Sequence, residues 1–180
     1  MPDIRKIIDK YYPADAPVRG ILIAHSRMVA AEALAIAARK SLPLDEEEIL
    51  AAAMLHDIGI VFTDADGIGC HGSEPYIRHG VVGAELLRRE DVDEKYARVA
   101  ERHTGAGLTH EEILARALPL PLDRSYMPET LLERLICYAD CFWSKPRPLE
   151  RKSLERVRAG MERHGSEIAA RFEALHREFS

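Results

Sequence analysis

Six histidine and aspartate residues interrupt helical faces that are otherwise apolar. They come from five predicted helices and are His25, His56, Asp57, His79, His103 and Asp140. Burying a carboxylate is costly unless it is paired with a cation or binds a metal. Imidazole and carboxylate together favour Fe, Mn, Zn, Co or Ni over calcium. Six ligands are too many for a four-coordinate zinc with an open position, and they suit two metals that share Asp57.

One helix places the histidine and the aspartate of the central pair side by side. Asp45 can cap its start, and Glu48 three residues later completes a capping-box pattern. The apolar stripe of this helix ends in His56 and Asp57, which share a face with it. Gly59 is predicted to end the helix in a left-handed conformation.

The rest of the chain predicts an all-α fold, because Ala and Leu dominate and runs of β-branched residues are almost absent. Residues 61–77, rich in Gly and acidic residues, predict a loop that contacts substrate and carries a surface histidine, His71. Further helices are expected over residues 3–11, 18–40, 75–89, 93–103, 110–118 and 130–144.

Two regions are expected. Residues 1–148 form a helical bundle that ends at Pro146 and Pro148, and residues 149–180 form a C-terminal helical appendage. Ser166 is predicted to cap a second helix within the appendage. The near-heptad apolar spacing predicts that the appendage packs on the core or on a second copy in a homodimer.

Composition excludes several classes of function. A chain of 180 residues with a formal net charge of −5 can bury one core and offers no basic surface for a nucleic-acid polymer or a membrane. We find no apolar run near the roughly 18 residues that span a bilayer, so a cytoplasmic location is expected. Three cysteines predict buried free thiols rather than a disulfide framework.

The order His25, His56-Asp57 and Asp140, with HDIG at 56–59, resembles the HD superfamily of metal-dependent phosphohydrolases. Two further segments, RHGVVGAELL (78–87) and ERHTGAG (101–107), resemble its binuclear branch. The chain is similar to small HDIG-domain proteins of archaea and bacteria from about residue 25 to residue 144. The resemblance implies an HD-domain helical bundle.

The resemblance also implies that His25, His56, Asp57 and Asp140 bind one or both metals. His79 and His103 would complete the second site. Many binuclear relatives have Lys directly after HDIG, whereas this chain has Ile60. The Gly-Tyr-Pro segment of the cyclic-diguanylate enzymes is also missing from this sequence.

We therefore expect hydrolysis of a phosphate ester or anhydride of a nucleotide or small phosphorylated metabolite by metal-activated water. His56 and Asp57 are the expected catalytic residues. Iron or manganese is the expected metal, with Zn, Co, Ni or Mg as alternatives. Other cations must replace the missing lysine, and those beside ligand positions are Lys145, Arg147, Arg78 and Arg102. The other functions left open are an HD-type di-iron oxygenase and a non-catalytic sensor or binding module.

Overall fold

A computed structural model describes residues 1–147 and 149–180 and confirms the predicted all-α class. Within these residues the helices are α1 (Ile4–Tyr11), α2 (Pro17–Lys40), α3 (Glu46–Leu55), α4 (His79–Arg89), α5 (Glu94–Arg102), α6 (His110–Ala115), α7 (Leu131–Asp140), α8 (Leu154–His164) and α9 (Ser166–Phe179). Pro148, one of the two prolines expected to end the bundle, lies outside the described residues.

The helices that carry the predicted ligands pack around one core. Helix α2 contacts α3 and α7, and α5 contacts α3, α4 and α7. The interior is filled by aliphatic and aromatic side chains that are almost fully buried, among them Leu22, Ile49 and Phe142. Each ligand-bearing helix therefore has an apolar face against this core, and that face fixes where its polar residues point.

The start of α3 is capped as predicted, because Asp45 Oδ1 accepts hydrogen bonds from the amides of Glu47 at 2.8 Å and Glu48 at 3.2 Å. The prediction that the Glu48 side chain accepts a hydrogen bond from the start of α3, and so completes the capping box, is wrong. The carboxylate of Glu48 pairs instead with Lys95 on α5. This ion pair ties α3 to α5.

Gly59 does not end α3 in a left-handed conformation, since its φ is −83°. Its role is close packing against α4. A Cβ atom at Gly59 would lie 2.2 Å from the carbonyl oxygen of His79 and 2.5 Å from the amide nitrogen of Gly83. Only glycine lets the turn after Asp57 approach the helix that carries His79 so closely.

The predicted loop of residues 61–77 contains a small sheet. Its strands are β1 (Thr63–Ala65), β2 (Cys70–His71) and β3 (Glu74–Pro75). The central strand β1 pairs with β2 in the antiparallel sense and with β3 in the parallel sense. Strands this short carry no readable alternation of polar and apolar residues, so the sequence pattern could not reveal them. His71 is exposed and contacts Asp66 at 2.9 Å.

Two predicted helix ends also differ from the structure. Helix α4 begins at His79 after a 3₁₀ turn over Tyr76–Arg78, and α7 ends at Asp140 rather than near Ser144. Both differences free the segments next to the site from helical geometry. Tyr76 can therefore approach the site from the 3₁₀ turn, and Lys145 from the irregular segment after α7.

The C-terminal helices α8 and α9 pack on each other, and α9 packs on α7. Phe172 and Phe179 surround the ring of Tyr138, whose hydroxyl lies 2.8 Å from Nδ1 of His176. The expected cap at Ser166 is wrong, because Gly165 is the cap residue and Ser166 is the first residue of α9. The appendage thus lies against the helix that ends in Asp140.

The expectation that no apolar run is long enough to span a bilayer is wrong for helix α2. It is the one helix in residues 1–147 and 149–180 that is long and apolar enough to cross a membrane by length and composition. Core helices of globular proteins pass the same test. Helix α2 packs against α3 and α7 and buries His25 and Ser26, as a core helix does.

Candidate metal centre

The six sequence-predicted residues meet in one place and form two groups. In the first group His25 Nε2 lies 3.1 Å from Asp57 Oδ2 and 2.9 Å from Asp140 Oδ1. His56 Nε2 lies 3.0 Å from Asp57 Oδ2 and 3.6 Å from Asp140 Oδ1. The four side chains present ligand atoms that all lie within 4.8 Å of one another, which is the spread of a metal coordination shell.

The second group shares Asp57 with the first. His79 Nε2 lies 3.4 Å and His103 Nε2 3.3 Å from the other carboxylate oxygen, Asp57 Oδ1. Asp57 is fully buried, and each of its oxygens faces a different group. A carboxylate in this position can bridge two metal ions, one on each oxygen.

Three of the histidines are oriented by the backbone of their own turns. In each, Nδ1 contacts the carbonyl oxygen three residues earlier, and the pairs are His56 with Ala53 at 2.6 Å, His79 with Tyr76 at 2.7 Å and His103 with Ala100 at 2.8 Å. A carbonyl can only accept, so Nδ1 carries the proton in each ring. Nε2 is then the free ligand atom when the ring is neutral.

Two of these Nε2 atoms face each other. His79 Nε2 and His103 Nε2 are 3.0 Å apart, with Nδ1 of each ring already donating to a carbonyl. Burial and the neighbouring His103 lower the pKa of His79 to about 3, so His79 is neutral at physiological pH. Two neutral rings in these tautomers would set one lone pair against the other, and either a proton on one Nε2 or a metal ion bound by both removes that repulsion.

The first group binds positive charge strongly. Burial opposes the charged form of His56, but the carboxylates of Asp57 and Asp140 outweigh it and raise the pKa of His56 to about 10. Burial also opposes ionisation of Asp57 and Asp140, yet the positive charges around them hold both pKa values well below the usual range. The carboxylates are therefore anionic and need cations.

Several buried ligand atoms make no hydrogen bond of acceptable geometry, although they lie within ion-pair distance of one another or of Lys145. They include Nε2 of His25, Nε2 of His56, both carboxylate oxygens of Asp57 and Oδ1 of Asp140. Buried polar atoms are normally satisfied. Unsatisfied atoms that converge from four side chains fit a site for divalent metal ions, and this cluster is able to hold them.

Lys145 also reaches the centre, from the segment after α7. Its Nζ lies 2.8 Å from Asp57 Oδ2, and only 10% of its side chain is exposed. Burial opposes its charge, but Asp57 and the other acidic neighbours raise the pKa of Lys145 above its usual value. Among the four cations considered from the sequence, the structure brings this one into the site.

The three arginines have other contacts. Arg147 is exposed and pairs with Glu150 at 3.4 Å. Arg78 donates to Pro119 O at 2.8 Å as well as to Glu74. The guanidinium of Arg102 lies 2.8 Å from Glu129 and 3.0 Å from Glu133. Being next to a candidate ligand in the sequence does not direct a side chain toward it. Arg102, for example, ends α5 just before His103, and adjacent residues on a helix face different ways.

The structure adds Tyr76, which the sequence analysis did not single out. Its ring stacks on the ring of His79 with centroids 4.8 Å apart, and Lys145 Nζ lies 5.8 Å from its centroid. The same tyrosine lines an open cavity of about 330 Å³. Tyr76 precedes His79 by three residues, but this spacing indicates a contact between the two rings only when the backbone from Tyr76 to Arg78 is known to form a 3₁₀ turn.

The chain matches the family model of the HD domain over residues 22–142. Two relatives are named tRNA (cytidine(56)-2'-O)-methyltransferase. That of Picrophilus torridus is 36% identical over 77% of this chain and 36% of its own length, and that of Thermoplasma volcanium is 35% identical over 98% of this chain and 46% of its own. An uncharacterised protein of Methanocaldococcus jannaschii is 44% identical over 56% of this chain and 52% of its own length.

The chain thus spans about half or less of these curated relatives. No solved structure matches it. The family match covers helices α3 to α7, most of α2 and all six candidate ligands, and it agrees with the resemblance that the HDIG segment carries. This chain belongs to the HD domain family.

Proposed function

We propose that this chain is a metal-dependent phosphohydrolase that cleaves a phosphate ester or anhydride of a nucleotide or small phosphorylated metabolite. The observation that carries the proposal is the shared carboxylate, since Asp57 presents one oxygen to each of two ligand groups. Paired sites of this kind suit the transfer of a phosphoryl group to water.

The chain's own residues would divide the work as follows. His25, His56 and Asp140 hold one metal with Asp57, and His79 and His103 hold the other with Asp57. When bound, the two divalent metals, for which we favour iron or manganese, would lower the pKa of a water molecule and neutralise the phosphate charge. The backbone contacts at Nδ1 keep the rings of His56, His79 and His103 oriented for this task.

Lys145 would supply the phosphate-binding cation that Ile60 cannot. Its ammonium already lies beside the shared carboxylate and has little exposure to solvent. A buried ammonium group near the metals can stabilise the negative charge that grows on the phosphoryl oxygens. The burial of Lys145 favours this role for it over Arg147, which is exposed.

Two relatives are named as tRNA methyltransferases, but the matched regions are 36% and 46% of those proteins. This chain has a net charge of −5, which gives no basic footprint for a tRNA backbone. We therefore keep hydrolysis as the proposal for this chain.

A screen of phosphate monoesters, diesters and anhydrides with tag-free, metal-loaded protein tests the proposal. Asp57→Asn keeps the shape of the side chain and removes the bridging charge, so it should abolish phosphate release. His71→Ala is the matched control, because His71 is an exposed histidine outside the cluster. An oxygen electrode run beside the screen tests the di-iron oxygenase alternative. Oxygen consumption with no phosphate release would overturn the proposal, and activity that survives Asp57→Asn would do so as well.

A further inference from the structure

We propose that the cavity beside Lys145 receives the leaving group of the substrate, and that this group is uncharged, largely apolar and no larger than one nucleoside. The inference rests on the proposed function, because it concerns the phosphate ester that the metal centre would cleave. It narrows the substrate class to monophosphates.

Two residues that line the cavity also contact the two halves of the candidate metal centre. Lys145 lines it, and its ammonium lies 2.8 Å from Asp57 Oδ2 on the side of the first group. Tyr76 lines it too, and its ring stacks on His79 of the second group. A phosphate held beside Asp57 therefore has this cavity next to it for the group on its ester oxygen.

The lining selects a neutral group. Besides Lys145, the side chains around the cavity come from Ala65, Ile68, Tyr76, Ser144 and Pro146. Lys145 is the one charged residue among these described residues, and it already faces Asp57. A di- or triphosphate would bring further negative charges here without further cations to meet them.

A carboxylate near the cavity also favours a neutral leaving group. Asp66 directly precedes the cavity-lining Gly67 in the chain and is exposed. A second phosphate near Gly67 would meet this carboxylate, and like charges disfavour such a placement. Arg147 follows the lining residue Pro146 at the other edge, but its guanidinium pairs with Glu150 at 3.4 Å.

The size of the cavity sets an upper limit. Its volume of about 330 Å³ lies near the lower end of the roughly 300–1,000 Å³ typical of ligand pockets. One base with its sugar, or a smaller aromatic or aliphatic alcohol, suits this space. A dinucleotide would extend beyond it into solvent.

The reaction that follows is balanced without a further reagent. Water and a phosphate monoester give an alcohol and inorganic phosphate. The bond from phosphorus to the water oxygen forms, the bond from phosphorus to the ester oxygen breaks, and the released alcohol takes up a proton.

Gly67→Leu tests the cavity. A Cβ at Gly67 meets no atom within 4 Å, and the backbone there is not left-handed, so the variant should fold with a side chain that occupies the cavity. Gly20→Leu is the matched control, because Gly20 has the same freedom on the exposed face of α2.

Calorimetry on metal-loaded protein would measure the binding of inorganic phosphate, ribose 5-phosphate, four ribonucleoside monophosphates and the corresponding diphosphates. Hydrolysis of the esters would be measured in parallel. We expect the best monophosphate to exceed ribose 5-phosphate and its own diphosphate by about tenfold in affinity and in kcat/KM, as contacts to one base provide. Gly67→Leu should remove this advantage, with phosphate binding and metal content unchanged, and Gly20→Leu should keep it.

The outcomes separate the inference from the proposed function. If phosphate binds and esters are cleaved but the base adds nothing, or Gly67→Leu changes nothing, the cavity does not hold the leaving group. A preference for the diphosphate would refute the selection for a neutral group. If no phosphate compound binds or is cleaved, the proposed function fails and this inference fails with it.

Discussion

Replacing Gly59 by alanine should damage the metal centre through the backbone alone. The added Cβ would lie 2.2 Å from the carbonyl oxygen of His79 and 2.5 Å from the amide nitrogen of Gly83. Both are backbone atoms of α4, so no side-chain rotation relieves the clash. Ordinary contact needs about 3.4 Å, and α4 must therefore move away by about 1 Å.

This shift falls on the second ligand group. His79 Nε2 is 3.4 Å from Asp57 Oδ1, and a displacement of about 1 Å places it beyond a shared metal. Insertion of a methyl group into packed backbone costs about 1–3 kcal/mol or more of the free energy of unfolding. We expect Gly59→Ala to bind one metal in place of two and to unfold at lower urea concentration.

Urea denaturation followed by circular dichroism and metal analysis by elemental mass spectrometry measure the two effects. Gly20→Ala is the control, since a Cβ at Gly20 meets no atom within 4 Å and alanine favours the helix by about 1 kcal/mol. If Gly59→Ala kept two metals and the urea midpoint of the wild type, the close contact between the HDIG turn and α4 would not position His79, and our reasoning about it would be refuted.

Three further predictions concern charged groups. Lys145→Met should keep both metals and weaken phosphate binding by about 10- to 100-fold, which is the usual contribution of a charged hydrogen bond. Arg147→Met should change phosphate binding little. Equal effects of the two variants in calorimetry would contradict the role of Lys145. The raised pKa of His56, about 10 without metal, means that metal must displace a proton at neutral pH, so metal affinity should rise with pH by up to about tenfold per unit for each proton released. Titration in two buffers of different ionisation enthalpy measures that proton, and the absence of release would be evidence against His56 as a ligand. Arg171→Met should lower the free energy of unfolding by about 1–3 kcal/mol. Arg171 donates to Ala106 O at 3.3 Å and to Gly107 O at 3.1 Å, and it pairs with Glu112. An unchanged urea midpoint would show that these contacts do not stabilise the fold.

The residues of the site could be predicted because each breaks an apolar helical stripe. His25 in α2 and Asp140 at the end of α7 are far apart in sequence, yet both sit on faces that must turn inward. The hydrophobic effect turns those faces toward the core, and the His and Asp side chains on them are therefore brought together there. The convergence of all six follows from this patterning.

The elements missed were those that long-range packing decides. The sequence predicts Gly59 as a left-handed helix stop, but its φ is −83°, and glycine is required there because α4 packs directly against it. Glu48 pairs with Lys95 across two helices rather than with its own helix start. The strands of residues 63–75 are held by pairing between segments too short to show a period. The partners of Gly59 and Glu48 are distant in the sequence, so local pattern could not select them.

The four cations considered for phosphate binding show the same limit of sequence-based prediction. Lys145, Arg147, Arg78 and Arg102 are all close to ligands along the chain, and direction in space separates them. The irregular segment after α7 turns Lys145 toward Asp57. A sequence can indicate which charges are near a site, whereas the backbone geometry decides which of them enters it.

Metal content per chain is the measurement that tests the binuclear centre most directly. Tag-free protein purified without chelators, and reconstituted with iron or manganese, should contain two equivalents by elemental mass spectrometry. Asp57→Asn should lose metal from both groups, since Asp57 faces both, and His71→Ala should keep two. One equivalent in the wild type, or two in Asp57→Asn, would contradict a centre built on a shared carboxylate.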